Sequence, residues 1–315
     1  MYERLRTSRA AGILVSAFAY MAAFFVAMAV FRNIDPGHPL AALAIADLAG
    51  TVFIFLVSFS VNNSSIYDPY WSVKPAVIAG YYFTTVFPET GLRETLVLAL
   101  VLLYSIRLTS NFFRDWPGLV KEDFRYVSFR RQFPKVYWGI SFFAVHLFPT
   151  VMVFLGCLPM FGIFSESTSS LNAFDLLGTM IFSGAVVYSF IADEQLRRFR
   201  KRSAVSGQTI ETGLWKYSRH PNYLGEICTW WGLYLFALAS GAAWWWTGIG
   251  ALAITLMFIF ASIPMMEKRM LATRSGYSEY RNRVPGYIYD IICHTGDSQP
   301  IVIQQNSDRK RFHSL

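Results

Sequence analysis

Residues 211–226, ETGLWKYSRHPNYLGE, gather Lys216, Arg219, His220, Asn222 and Glu226 beside Trp215, Tyr217 and Tyr223. Pro221 favours an extended or turn conformation at His220 and suits the first position of a helix. A helix N-terminus attracts anions, and Arg219 with His220 adds donors just ahead of it. Such a set suits a phosphorylated or carboxylated cofactor held at a membrane face. The other reading of the same stretch is an interfacial anchor of basic and aromatic residues. Upstream, in IADEQLRRFRKR, Asp193, Arg197 and Arg200 fall on one helical face. A carboxylate there could hold an amide or sugar hydroxyl while the two guanidinium groups clamp phosphate. The same residues also read as a basic stop with one intrahelical ion pair.

Two further clusters carry chemistry. In YSIRLTSNFFRDW, Tyr104, Arg107, Asn111 and Arg114 share one helical face. Arg107 lies inside an apolar run, where a charge is costly and needs a polar partner or a cavity. Arg114 is near enough to the end to snorkel toward headgroups. In NNSSIYDPYW, Asp68 is flanked by Tyr67, Tyr70 and Trp71. Burial among aromatics would raise its pKa and make it a proton or hydrogen-bond donor. The competing reading is a turn, since Asp-Pro near Asn and Ser is a common turn signal. A last segment, EKRMLATRSGYSEYRNRVP, with Glu267, Arg269, Tyr277, Tyr280 and Arg281, is amphipathic and either caps the site or lies on the membrane surface.

The elements that must position these residues are membrane helices. The chain is 54% hydrophobic and 15% charged, against about 25% charged in a soluble domain. Eight apolar runs are long enough to be considered as spans: 11–31, 41–61, 75–87, 95–113, 137–157, 173–192, 224–240 and 247–264. The third is short and could be re-entrant. With both termini inside, all of the 28 Lys and Arg except Arg32, Arg93 and Arg107 fall on inner segments, as the positive-inside rule requires. The net charge of +8 thus reflects topology and does not point to nucleic acid. Cys157, Cys228 and Cys293 are far apart and suggest neither a disulfide framework nor a metal site. The expectation is an all-α, polytopic membrane bundle of seven to eight spans in a single domain, 1–315. Residues 1–113 would form its substrate side and 114–290 its cofactor side, with 296–315 a mobile polar tail. Both termini would be cytoplasmic, in a bacterial inner membrane or the endoplasmic reticulum, and the chain a monomer.

ADEQLRRF followed by GLWKYSRHPNYLGE resembles the steroid 5α-reductase superfamily, in its branch designated domain of unknown function 1295. The resemblance covers about Asn62 to Pro285. It implies a polytopic enzyme whose C-terminal half wraps NADPH and which reduces a carbon–carbon double bond conjugated to a ketone in a steroid or related lipid. By this resemblance Asp193, Arg197 and Arg200 correspond to an Asp-x3-Arg-x2-Arg cofactor helix, and Asn222 and Glu226 to an Asn-x3-Glu contact with the nicotinamide half. Tyr217, Arg219, His220, Tyr223 and Arg281 complete the implied cofactor set. Tyr104 corresponds to a tyrosine facing the substrate ketone, Asp68 takes the role of its acidic partner, and Trp71, Arg107 and Asn111 lie on the substrate side. The chain departs from the pattern at Ser189, where an asparagine is expected, and at MMEKRM, where the steroid enzymes are rich in histidine. A second resemblance, in RHPNYLG and YSEYRNRVP, is to the isoprenylcysteine carboxyl and phospholipid methyltransferases. It implies S-adenosylmethionine bound through the RHP motif and Glu267, and a lipid or isoprenylated substrate. A non-catalytic lipid-binding membrane protein is the third reading.

Overall fold

The computed structural model describes residues 8–86, 91–166, 170–202 and 207–286. The tail 296–315, Cys293 and both termini lie outside the described residues. Among those described, every regular element is helical. In order they are α1 (Arg9–Asn33), α2 (Pro39–Ser60), α3 (Tyr67–Tyr81), α4 (Leu92–Asp115), α5 (Phe124–Gln132), α6 (Tyr137–Ser165), α7 (Ala173–Arg202), α8 (Pro221–Ser240), α9 (Ala242–Thr273) and α10 (Tyr277–Arg283). Local signals set the starts. Ser8 Oγ accepts from Ala11 N, Pro39 opens α2 after His38, and Asp123 accepts from Arg125 N at the head of α5. Pro221 opens α8 with His220 as its cap residue, as the sequence predicts.

Among the described residues, six helices, α1, α2, α4, α6, α7 and α9, are long and apolar enough to cross a membrane. Their outer faces are apolar: Leu14, Phe18 and Phe25 of α1, Leu176 and Met180 of α7 and Phe260 of α9 are exposed. Apolar side chains outside and polar pairs inside are what a bilayer selects. Two of the eight runs read from the sequence, 75–87 and 224–240, are not among these six. Run 75–87 begins within α3, whose helix continues through a π-helical turn, Tyr82–Val86, and the end of the run lies outside the described residues. Run 224–240 belongs to α8, where Asn222, Glu226, Thr229 and two glycines dilute the apolar character.

Among the described residues, two main cores hold the bundle. The larger joins α3, α4, α6, α7, α8 and α9 through Ile78, Val101, Met160, Phe182, Trp230, Phe236 and Ile254. The smaller joins α1, α2 and α3 with Trp116 and Leu119 beyond α4. Trp71 packs against both. The most extensive helix pair is α7 with α8, which meet through glycines. A Cβ on Gly232 would stand 2.8 Å from Phe182 N and 3.0 Å from Phe182 Cα. That neighbour is backbone and cannot swing aside. Gly232→Ala is therefore expected to cost about 1–3 kcal/mol by overpacking, visible as a lower melting midpoint of the detergent-solubilised protein.

Candidate functional site

The shared face of α4 is built as its spacing predicts, and it points inward. Arg107, with its side chain 6% exposed, forks between two helices. Its Nη1 lies 3.1 Å from Asp193 Oδ2 on α7, and its Nη2 donates to Glu226 on α8. Asn111 Nδ2 donates to the same Asp193 oxygen at 3.0 Å, and Asn222 Nδ2 to the other at 3.2 Å. Arg197 donates to Asn111 Oδ1 and lies 3.3 Å from Asp115. Five residues named from sequence, together with Arg107, thus form one polar knot where α4, α7 and α8 meet. Charges at that depth are tolerated because both carboxylates pair with Arg107 and Asp193 takes two neutral donors besides.

Tyr104 sits one turn from this knot. It is 1% exposed, and Phe182 and Trp230 meet its ring edge-on at centroid distances of 6.4 and 5.9 Å. Its hydroxyl makes no hydrogen bond of normal geometry, although the Glu226 carboxylate is close by. Arg107 pairs with Glu226 Oε1, so the Tyr104 hydroxyl and an ion-paired carboxylate stand side by side. Asp68 is engaged elsewhere. Tyr126 donates to Asp68, and Arg125 Nη2 lies 3.5 Å away. Burial pushes the Asp68 carboxyl up to about 7, against the opposing pull of Arg125. The carboxylate beside Tyr104 is therefore Glu226 and not Asp68. Trp71 serves as the wedge between the two cores. Arg114, half exposed, pairs with Glu194 at 3.3 Å.

The second part is a cleft of about 710 Å³ of empty space between the ends of α7, α8 and α9, closed by α10. Arg200, Arg219, His220, Asn222, Tyr223 and Arg274 contribute to its wall. The ring of His220 stacks on that of Tyr223, 5.5 Å between centroids and 11° between planes. Glu267 ties the RHP turn down. It receives Arg219 Nε at 3.0 Å, His220 Nε2 at 3.2 Å and Arg281 Nε at 3.4 Å. Arg219 also bonds α10 through the carbonyl of Arg281 and through its own N–H to Pro285. Tyr280 OH holds the Trp215 carbonyl at 2.6 Å. Of the cofactor residues read from sequence, Arg200, Arg219, His220, Asn222 and Tyr223 reach the cleft. Asp193, Arg197 and Glu226 face the knot behind it. Tyr217 is 67% exposed with Lys216 over its ring, away from both.

Sequence reasoning passed over three contributors. Arg274 lines the cleft with Met266 and Met270 and had registered only as a positive-inside charge. Tyr126 and Arg125, the partners of Asp68, are 58 and 57 positions away and no local pattern links them. Helical spacing identifies which residues share a face; it does not say what that face meets.

The family described as protein of unknown function (DUF1295) matches residues 54–284. An uncharacterized protein of Schizosaccharomyces pombe, C594.04c, is 27% identical over 252 residues, covering 72% of this chain and 73% of that protein. No solved structure matches.

Proposed function

The chain belongs to the DUF1295 family, and from that premise we propose that it is a membrane-embedded, NADPH-dependent reductase of a carbon–carbon double bond conjugated to a ketone in a steroid or related lipid. One observation carries the cofactor reading. Arg200 and Arg274 line one cleft, and neither has a carboxylate partner among the described residues. Arg200 lies close enough to Arg274 and Arg269 for the like charges to repel. Converging guanidinium groups without a paired carboxylate suit a polyanion, and Arg is suited to phosphate. Arg200, Arg274 and the RHP turn would hold the phosphates, and Asn222, which faces both cleft and knot, would sit toward the nicotinamide half.

NADPH, when bound, supplies hydride to the β-carbon of the enone. The chain's own part is to hold and polarise the acceptor. Tyr104 donates to the ketone oxygen, on which negative charge grows as the β-carbon is reduced; a donor fixed in an apolar site lowers that barrier. Arg107 pairs with Glu226 Oε1, and Tyr104 would turn its hydroxyl from that carboxylate to the ketone. Protonation of the α-carbon completes the reduction.

The methyltransferase reading needs His220 and Glu267 for the amino-acid part of S-adenosylmethionine. Both Glu267 oxygens are already bonded to cations of this chain. A sulfonium ligand without phosphate would also be repelled by the arginines of the cleft. Melting the purified protein with NADPH, NADH or S-adenosylmethionine separates the readings, since a ligand of the native state raises the midpoint. A rise with NADPH is expected; a rise with S-adenosylmethionine alone would overturn the proposal. Arg200→Ala should weaken NADPH about 10- to 100-fold, the loss of one charge-assisted contact of about 1.5–3 kcal/mol. Unchanged affinity removes Arg200 from the site.

A further inference from the structure

A second cavity, of about 690 Å³ of empty space, lies between α1, α2 and α3. None of the residues of the knot or of the cleft lines it. Its wall is aromatic and aliphatic, with Tyr20, Phe24, Phe31, Val77 and Tyr81. Phe24 and Val77 are each 39% exposed on the apolar outer face, so the cavity communicates with the bilayer side of the bundle. Two charged residues also line it. Lys74 Nζ lies 2.7 Å from Asp47 Oδ1, with side chains only 6% and 8% exposed. Beyond this ion pair, Lys74 Nζ and Asp47 Oδ2 have no hydrogen-bond partner.

A buried polar atom without a partner costs about 1–3 kcal/mol, and an intramembrane ionisable pair marks a functional site by default. The chemistry of the two open valences selects the ligand. Lys74 offers protons and Asp47 Oδ2 offers a lone pair, side by side, with no net charge between them. A carboxylate head has no proton for Asp47 Oδ2, and an ammonium head no lone pair for Lys74. A hydrocarbon would satisfy neither. A hydroxyl satisfies both: its proton goes to Asp47 Oδ2 and its oxygen accepts from Lys74 Nζ. We infer that this cavity binds a lipid alcohol, its hydroxyl on the Asp47–Lys74 pair and its apolar body between Phe24, Phe31 and Tyr81. The inference is independent of the reductase reading.

The probe is hexadecanol carrying a mid-chain diazirine, photolysed with the full-length protein in detergent, with labelled peptides mapped by mass spectrometry. Labelling is expected on α1 and α3. Unlabelled hexadecanol should displace it at least tenfold more effectively than palmitate or hexadecane. The double variant Asp47→Leu/Lys74→Met removes both charges together and should reduce labelling at least tenfold. Val77→Trp narrows the mouth from a partly exposed position, leaves the ion pair alone, and should do the same even if the double variant fails to fold. Equal displacement by hexadecane, or full labelling in Val77→Trp, would mean an annular lipid contact only and would overturn the proposal.

Discussion

Tyr104→Phe is expected to lower turnover of a lipid enone about 10²- to 10³-fold, the effect of losing one preorganised donor to a developing oxyanion. NADPH affinity should stay within about twofold, because Tyr104 does not line the cleft that Arg200 and Arg274 form. Stability should move in the opposite direction to activity. The hydroxyl is buried and unbonded, and removing it relieves a desolvation cost of about 1–3 kcal/mol. The ring contacts with Phe182 and Trp230 survive the change. A variant that melts no lower but turns over far more slowly is the signature of a group kept for chemistry. Unchanged turnover would sink the assignment of Tyr104.

Arg107→Met should produce the largest loss of stability, about 3–5 kcal/mol, because it strands two buried carboxylates rather than simply deleting a contact. Glu226 and Asp193 both depend on that guanidinium. Arg107→Lys should rescue only part of the loss, since a single ammonium cannot reproduce the fork that reaches both α7 and α8. Adding Glu226→Gln and Asp193→Asn to Arg107→Met should recover stability by removing the stranded charges. Melting midpoints of the four proteins provide the check. A loss below about 1 kcal/mol for Arg107→Met would mean the knot is not the joint that holds α4 to α7 and α8.

Much of this was legible in the sequence, and the reasons are specific. Tyr104, Arg107 and Asn111 recur at helical spacing in an apolar run, so one inward face followed at once. Pro221 after His220 marked the start of α8. What spacing could not give was the partner across the bundle. The motif Asp-x3-Arg-x2-Arg reads as one surface, yet Asp193 and Arg197 turn to α4 while Arg200 alone reaches the cleft, because a buried carboxylate is drawn to the nearest cation, Arg107. Asp68 read as a partner for Tyr104 and instead meets Tyr126, which lies on α5. Lys74 read as an inner-loop charge, but it is buried against Asp47 from a different helix. In each case the information sits in a tertiary pairing between residues many positions apart.

The smaller core has a consequence for how the chain is made. Its first three helices close on residues that follow α4: Gly12 of α1 is so near Gly118 that an added Cβ would stand 3.0 Å from its Cα. Asn63 donates to the carbonyls of Leu119 and Lys121, and Ser64 N to Glu122. During synthesis, the packing of α1, α2 and α3 is therefore finished only once the segment after α4 has emerged from the ribosome. The first half of the protein is completed by the beginning of the second.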